Sequence, residues 1–396
     1  MSSSSTSTST TTSSATTASR ILFELLPQGQ HAIGDFRFRI SHIDVSLANA
    51  IRRVLLSDIP VAIIRTDKDG IAMGTNTSRY HDQFVQQRLG CIPVFIKQLD
   101  LLPGKYQVSL DMSNRTDELM LVTTEHFKIL DKSTGESLDE AAMLERFQRS
   151  TFFPKNDKSG DNILFAYLAP RVNPQTPPAT IQFVAEFGIS TAKEDSRYNV
   201  TSSCAFMNTI DARAATIKRN ETRDELMKLK ADNKITDEEI QFRLRNFDAL
   251  DAQRIFVPNS FDFTVKSIVA FSSEELVGLA CTILYKRFAA IRDSPQDKII
   301  VKQALTTMDA YDVVLLDEDQ TIGNVLAYYL FKTHYEGDKM LNYCAFTKIH
   351  PHDTSSTIRL SFASKVDNNA IISVVGEACT LAMEVYKKLH TYFKAR

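Results

Sequence analysis

Residues 47–60 read LANAIRRVLLSDIP, and this stretch decides how the first part of the chain folds. Four apolar residues recur at the spacing of one helical face: Leu47, Ile51, Val54 and Leu55. Asp44 or Ser46 offers an N-cap, and Pro60 ends the segment because the residue before a proline is pushed out of the α region. The stretch therefore predicts an amphipathic helix with its apolar face against a core.

Strand patterns flank this helix on both sides. Phe36, Phe38 and Ile40 alternate with arginines as in a half-buried strand, and the apolar run 61–64 predicts a second strand. A shorter helix is predicted over residues 81–89, and Gly90 is expected to end it in the left-handed C′ conformation.

Length and charge exclude several classes of protein. The chain has 396 residues, enough for two to three domains, and its 46 basic and 48 acidic residues leave a formal charge of −2. This balance gives no whole-chain reason to expect a coat of nucleic acid or lipid. The apolar runs are too short to span a bilayer, so we expect a soluble protein.

The N-terminal tract and the cysteines indicate the compartment. Residues 2–19 are almost entirely Ser and Thr, so residues 1–20 are predicted to form a disordered tail, with a transit peptide ranked well below it. The five cysteines include no C-x-x-C pair, which argues against a disulfide framework or a cysteine metal site. We expect a reducing compartment.

The middle of the chain predicts a β-rich inserted module. Short alternating stretches run over residues 106–112, 119–130 and 180–189. A charged stretch, residues 211–254, predicts two solvated helices, the second capped by Thr236.

The last part of the chain repeats the opening plan. After a capped helix that begins at Ser272 and a linker over 293–297, a strand at 311–316 and a helix at 321–332 are predicted, then two strands and a final helix over 369–394. The apolar stripe of the final helix is too long for a small domain to bury alone, so the helix over 272–292 is expected to cover it.

No sequence motif for catalysis is present. The nucleophile-elbow, zinc-protease, P-loop and dinucleotide-binding strings do not occur. Residues 67–70 and 157–161 lack the full ligand pattern of a calcium loop and predict turns. His350, His352 and Asp353 flank a proline and predict a loop rather than a metal site, and residues 317–319 predict a solvated strand end. We predict no enzyme activity in this chain, no metal and no cofactor.

Two ordered motifs carry a family resemblance. Residues 47–60 resemble the α-motif of RNA polymerase assembly subunits: the bacterial α N-terminal domain, the archaeal D subunit and the third subunit of eukaryotic RNA polymerase II. Residues 76–78, 81–85 and 88–93 resemble the second signature of that family. Residues 317–326 and 348–351 resemble the eleventh subunit of RNA polymerase II and the archaeal L subunit.

The resemblance implies an α/β (α+β) fold with two α-subunit-like dimerisation units pairing through long helices. Residues 21–92 and 258–293 would form the first unit, 93–257 the inserted β-rich domain with charged helices, and 294–396 the second unit. The chain thus resembles a fusion of two usually separate subunits, an arrangement similar to that of large DNA viruses. Some relatives carry a four-cysteine cluster in the insertion, but only Cys204 lies there, so no cluster is expected.

The resemblance implies a non-catalytic assembly platform of a DNA-directed RNA polymerase, binding the second-largest, the largest and small zinc-bearing subunits. No sequence-specific DNA contact, membrane or small-molecule substrate is expected. The implied location is host cytoplasm and virion if the source is viral, and otherwise the nucleus. The alternative is a free-standing mimic that sequesters host polymerase subunits.

The resemblance also assigns candidate partner-binding residues: Asn49, Arg52, Arg53, Asn76, His81 and Arg88. The guanidinium of Arg has a planar set of donors that suits a protein interface, which favours Arg52 and Arg53 as contacts. Alternatively, both arginines balance the charge of Asp58 at a solvated helix end. Asn76, His81 and Arg88, with Thr77, are as consistent with loop caps as with partner contacts. Gly323 and Asn324 are expected to shape the start of a helix rather than to bind.

Overall fold

The computed structural model describes residues 21–27, 35–173, 175–232, 235–304 and 309–394. The predicted disordered tail lies outside these residues. The helices are α1 (Val45–Ser57), α2 (Asp82–Gly90), α3 (Glu140–Phe147), α4 (Ala212–Ala231), α5 (Asp237–Asn246), α6 (Ser273–Asp293), α7 (Pro295–Lys298), α8 (Gln320–Leu330) and α9 (Asn368–Lys394). None of these described helices combines the length and apolarity that a bilayer crossing requires.

The strands alternate with these helices and confirm the predicted mixed α+β class. They are β1 (Leu22–Leu25), β2 (Phe36–Ser41), β3 (Val61–Ile64), β4 (Ile71–Asn76), β5 (Tyr106–Asn114), β6 (Met120–Thr123), β7 (Lys128–Asp131), β8 (Leu164–Leu168), β9 (Ala179–Ser190), β10 (Thr201–Ile210), β11 (Phe256–Ser267), β12 (Ile299–Gln303), β13 (Ala310–Leu315), β14 (Leu341–Thr347) and β15 (Ser356–Phe362).

The chain divides into two compact units. Unit 1 contains the described residues within 1–51, 205–264 and 284–396, and unit 2 contains those within 52–204 and 265–283. Helix α1 begins as predicted, because the Ser46 N–H donates to Asp44 Oδ1 at 2.8 Å. Helix α6 also begins with the predicted capping box, since Ser272 and Glu275 exchange hydrogen bonds of 2.7 and 3.1 Å.

Unit 1 is built on two four-stranded sheets with one chain plan. The first sheet has the strand order β1-β2-β11-β10, and the second has the order β12-β13-β15-β14. In each sheet the second strand in this order leads into a helix, α1 or α8, and the third leads into a long helix, α6 or α9. The sequence did not predict β12, which supplies the edge of the second sheet.

Helix α9 packs against the aromatic face of the first sheet. Phe38 stacks on Phe263 with ring centroids 4.9 Å apart, and Phe393 of α9 lies edge-on to Phe38 at 5.7 Å and to Phe23 at 4.9 Å. Full burial of a large apolar side chain contributes about 1.5–3 kcal/mol. These contacts therefore join the last helix of the chain to its first two strands.

The second half of α6 also contacts α9, as the length of the apolar stripe predicted. Phe288 and Tyr386 stack with centroids 5.9 Å apart, and both are fully buried. Arg287 of α6 donates to the carboxylate of Glu318, with Nε 3.1 Å from Oε2. Glu318 is only 6% exposed, so the prediction of a solvated strand end at residues 317–319 is wrong for this residue, whose carboxylate a distant helix neutralises.

One Arg–Asp ion pair joins the second and third strands of each sheet. The Arg lies on the second strand in the first sheet and on the third strand in the second sheet. Arg39 of β2 binds Asp262 of β11 through two hydrogen bonds of 2.6 and 3.0 Å. In the second sheet Arg359 of β15 binds Asp312 of β13 at 2.6 and 2.8 Å. Both pairs use the bidentate geometry in which Arg and carboxylate bind most strongly.

Unit 2 contains the β-rich part of the chain. Strands β5 and β9 form its centre in the order β3-β9-β5-β7, while β4 also pairs with β9 and β6 pairs with β8. Phe127 meets Phe153, Phe165 and Phe183 edge-on at 5.2–5.5 Å in the core beneath the sheet. The same core buries the apolar side of α2.

Gly90 does not end α2 in the predicted left-handed conformation. It is the last residue of the helix, and the following Cys91 is right-handed, with φ −88°. A Cβ at Gly90 would overlap Nη1 of Arg197. The guanidinium of Arg197, a residue distant in sequence, thus lies against the backbone of Gly90 and would have to shift if a side chain were added there.

Gly323 on α8 gives the first testable prediction. A Cβ there would overlap the ring of Phe346 on β14, so Gly323→Ala should lower the free energy of unfolding by about 1–3 kcal/mol. Gly376→Ala on α9 is the control, because its nearest neighbour, Arg292 Cγ, is 3.9 Å away and alanine favours a helix by about 0.5–1 kcal/mol. Urea unfolding followed by circular dichroism measures both, and equal stability of the two variants would contradict this packing.

The Asp262 carboxylate gives a pH-dependent prediction. Burial opposes its ionisation, but hydrogen bonds from Arg39 and Thr209 outweigh burial and hold its pKa below the usual value. A carboxyl with a lowered folded-state pKa contributes stability above its unfolded pKa of about 3.9 and loses it as the pH falls through the folded value. Asp262→Asn should therefore be less stable than the wild type at pH 7, and this difference should shrink as the pH falls through the lowered folded-state pKa of Asp262. Asp117→Asn, at an exposed turn, is the control. A stability gap that does not change with pH in urea titrations would refute this role.

Candidate partner-binding surface

Helix α1 presents its candidate residues beside a fully buried face. The four apolar residues of this face are at most 1% exposed: Leu47, Ile51, Val54 and Leu55. Asn49, Arg52 and Arg53 are half-buried, and Asn49 and Arg53 share a face because they are four residues apart. The helix therefore fixes the backbone of the candidate residues by burying the opposite side.

The C-terminal end of α1 is held by side-chain hydrogen bonds. Ser57 Oγ lies 2.8 Å from the carbonyl oxygen of Arg53 and 2.6 Å from Oδ1 of Asp58. The Cys204 thiol lies 3.9 Å from the carbonyl oxygen of Arg52, and burial raises the pKa of this thiol to about 12. Cys204 is thus a neutral packing residue beneath α1.

Asn76 closes the loop between β4 and α2. Its Nδ2 donates to the Tyr80 carbonyl at 2.9 Å and to Asp82 Oδ1 at 2.7 Å. Its Oδ1 accepts from the backbone N–H and the hydroxyl of Ser78 at 3.1 and 2.7 Å. Both donors and both lone pairs of the amide are therefore occupied within the loop.

His81 and Thr77 also make local bonds. His81 is the N-cap of α2, where Nδ1 accepts the Gln83 N–H at 3.3 Å. The N–H of Thr77 donates to the Thr180 carbonyl at 2.8 Å, which extends the pairing of β4 with β9. The imidazole of His81 is exposed beside these contacts.

Arg88 joins α2 to β8. Its Nε donates to the Phe165 carbonyl at 2.8 Å, its Nη2 donates to the Leu164 carbonyl at 3.0 Å, and its guanidinium lies 5.5 Å from the Tyr80 ring centroid. The structure thus brings Asn76, His81 and Arg88 together around α2. These bonds are of the loop-capping kind, and a role in partner contact stays a prediction.

The other candidate clusters form local turns or caps. Asp67 binds Arg65, whose hydrogen bond holds the Asp67 pKa below its usual value, and the loop closes through the Gly70 N–H at 2.9 Å from the Asp67 carbonyl. The His352 N–H donates to His350 Nδ1 at 3.2 Å, and the His350 N–H donates to Asp353 at 3.0 Å. Within the described residues no three His, Cys, Asp or Glu side chains meet in a way that would hold a metal ion.

Sequence reasoning missed Arg197, which lies against α2 from more than 100 residues away. Its guanidinium contacts Gly90 and binds the Asp195 carboxylate through Nε at 2.9 Å and Nη2 at 2.8 Å. The one local signal was Gly90 at the end of α2, whose position predicted a left-handed C′ residue instead.

The sequence is similar to those of known proteins. Residues 37–288, more than half of the chain, match the family model described as RNA polymerase Rpb3/Rpb11 dimerisation domain. The chain is 40% identical over 58 residues to the Arabidopsis thaliana DNA-directed RNA polymerases II, IV and V subunit 3, which covers 15% of this chain and 17% of the relative. It is 27% identical over 176 residues to the Schizosaccharomyces pombe DNA-directed RNA polymerase II subunit RPB3, which covers 43% and 54%. A Dictyostelium discoideum DNA-directed RNA polymerase II subunit rpb3 is 36% identical over 63 residues, or 16% and 20% of the two chains. Each match spans less than two thirds of the relative.

Substitution of Arg88 tests whether this residue has a structural role. Removal of its guanidinium leaves the carbonyls of Phe165 and Leu164 without their donors, so Arg88→Ala should lower the free energy of unfolding by about 1.5–3 kcal/mol. Arg79→Ala, at an exposed position nearby, is the control. Thermal and urea unfolding measure the effect, and full stability of Arg88→Ala would remove the structural explanation for its position.

Proposed function

The chain belongs to the RNA polymerase Rpb3/Rpb11 dimerisation domain family, and from that premise we propose that it is a non-catalytic assembly subunit of a multisubunit DNA-dependent RNA polymerase. Because the matches cover only parts of the relatives, we propose rather than assign the relatives' roles for this chain. The proposed role needs a surface for other subunits rather than a catalytic centre.

One observation carries the proposal: two sheets with the same chain plan occur in one chain, and α9, which follows the second sheet, packs against the first sheet and against α6. This arrangement supports an intramolecular equivalent of a dimer of two α-like subunits, the first ending with α6 and the second comprising residues 294–396. Tethering turns their association into an intramolecular event at an effective concentration on the order of millimolar. The pair would then assemble without waiting for a separate partner.

We assign the α1 residues Asn49, Arg52 and Arg53 to the second-largest polymerase subunit. Arg is frequent among residues that dominate interfaces because its planar fork binds carboxylates and carbonyls. The largest subunit and small zinc-bearing subunits would join on other faces. The fused plan is similar to that of large DNA viruses, so we extend the proposal to assembly in host cytoplasm and packaging in virions.

Co-expression with the two large polymerase subunits of the same source tests this function. We expect stoichiometric co-elution from a sizing column together with RNA synthesis activity. Arg53→Ala should weaken binding of the second-largest subunit by about 2 kcal/mol or more if Arg53 anchors that interface. Arg115→Ala, exposed in a turn of unit 2, is the matched control, and circular dichroism checks that both variants fold.

Two results would count against the proposal. Unchanged binding by a folded Arg53→Ala protein would remove Arg53 from the interface. Elution with host polymerase subunits and without synthesis activity would instead favour the sequestering mimic.

A further inference from the structure

His334 is a buried histidine of unit 1 that the proposed function does not use. It lies in the π-helical turn Phe331–Tyr335, which continues α8, and only 3% of its surface is exposed. Its Nδ1 lies 2.8 Å from Oδ2 of Asp338. Its Nε2 has no hydrogen-bond partner among the described residues, and Oε2 of Glu377 on α9 lies 3.7 Å away, too far for a hydrogen bond. A buried nitrogen without a partner is rare and calls for an explanation.

The chain after the π-helical turn holds Asp338 beside the imidazole. The Asp338 N–H donates to the Thr333 carbonyl at 3.0 Å, and its Oδ1 accepts the Met340 N–H at 2.9 Å. The same carbonyl lies against Gly337, where a Cβ would overlap it. The Asp338 carboxylate is therefore fixed by the backbone as an acceptor for Nδ1 of His334.

The two carboxylates determine which form of the imidazole satisfies both nitrogens. An ionised carboxylate only accepts hydrogen bonds, so Nδ1 must carry the proton that is shared with Asp338. In the neutral imidazole Nε2 then has a lone pair and no proton, and it faces a second acceptor, the carboxylate of Glu377. In the imidazolium both nitrogens are donors, and each has a carboxylate beside it. Only the charged form therefore satisfies both sides of the ring.

The other titratable groups of the elements around His334 do not compete with these carboxylates. Lys332 and Glu336 bind each other at 2.6 Å on the exposed side of the turn. Helix α8 and strand β14, which both pack on the turn, contain no charged residue. Burial raises the pKa of Tyr329 in α8, and it raises the pKa of Cys344 in β14 to about 12, so both stay neutral at physiological pH. Glu377 is the first charged residue of α9.

We propose that His334 is a proton-dependent bridge, which in its protonated form binds Asp338 and Glu377 together and so fixes the end of α8 to the N-terminal half of α9. The Glu377 side chain is 57% exposed, so it is free to move the few tenths of an ångström that a hydrogen bond to Nε2 requires. When the imidazole loses its proton, the bond to Asp338 remains and the attraction to Glu377 is lost. Histidine is the side chain whose charge ordinarily changes between about pH 5 and pH 8. The bridge lies within unit 1, and its formation does not require other polymerase subunits.

Glu377→Gln tests the bridge because it removes the negative charge and keeps the size of the side chain. The bridge contributes stability at low pH and loses it as the pH rises, so the difference from the wild type must follow the same direction. We expect the thermal unfolding midpoint of Glu377→Gln to lie about 1–3 °C below that of the wild type at about pH 5.5, as for a partly exposed ion pair. At about pH 8.5 the difference should vanish or reverse, since the glutamine amide can donate to a neutral Nε2.

Glu384→Gln is the matched control, because Glu384 lies two turns further along the same side of α9 and is also exposed. Its difference from the wild type should be the same at both pH values. Hydrogen exchange, compared between variant and wild type at one pH at a time, locates the effect. The amides of residues 335–338 and 372–377 should exchange faster in Glu377→Gln at about pH 5.5 and at the wild-type rate at about pH 8.5.

A second variant assigns the pH dependence to His334. In a His334→Gln background, Glu377→Gln should have the same effect at both pH values, because the group that changes charge is gone. An effect of Glu377→Gln that is equal at both pH values in the otherwise wild-type chain would overturn the proposal. A pH-dependent effect that persists without His334 would overturn it as well. If His334→Gln does not fold, the comparison of Glu377→Gln with Glu384→Gln decides alone.

Discussion

Burial of the apolar side of α9 is the constraint on which unit 1 depends. At 27 residues the helix is about 40 Å long, and its buried residues run from Ile371 to Phe393. No single small sheet covers a helix of that length. The first sheet covers its end through Phe23 and Phe38, and α6 contributes Phe288 against Tyr386. The N-terminal strands and the C-terminal helix are therefore parts of one core.

Three ion pairs join elements of unit 1. The Arg39–Asp262 and Arg359–Asp312 pairs each join adjacent strands, and Arg287 reaches from α6 to the buried Glu318. Glu318 is buried, where an unpaired charge would be costly, whereas the other two pairs are partly exposed and have bidentate geometry. The two sheets thus repeat one plan with different residues.

Local sequence patterns predicted the helices named below, and the predictions that failed involve contacts between residues far apart in sequence. The stripe of α1, the capping box at Ser272 and Glu275 and the length of α9 each depend on a pattern within one continuous stretch of sequence, and each was found. The contact of Arg197 with Gly90 joins residues far apart in the chain, so no local pattern predicted it. Glu318 was misread because its partner lies on α6. The candidate partner-binding residues stay a prediction, and the bonds of Arg88 could not be predicted because the carbonyls of Leu164 and Phe165 are more than 70 residues away in sequence.

The central claim is that two α-like halves of one chain hold each other through these buried contacts. A protease site inserted within residues 293–297 of the full chain, followed by cleavage and native sizing chromatography, tests it most directly. The account predicts that both fragments co-elute as one folded species after complete cleavage, because the interface rather than the peptide link holds them. Separation of the fragments, or loss of fold in the C-terminal fragment on cleavage, would contradict it.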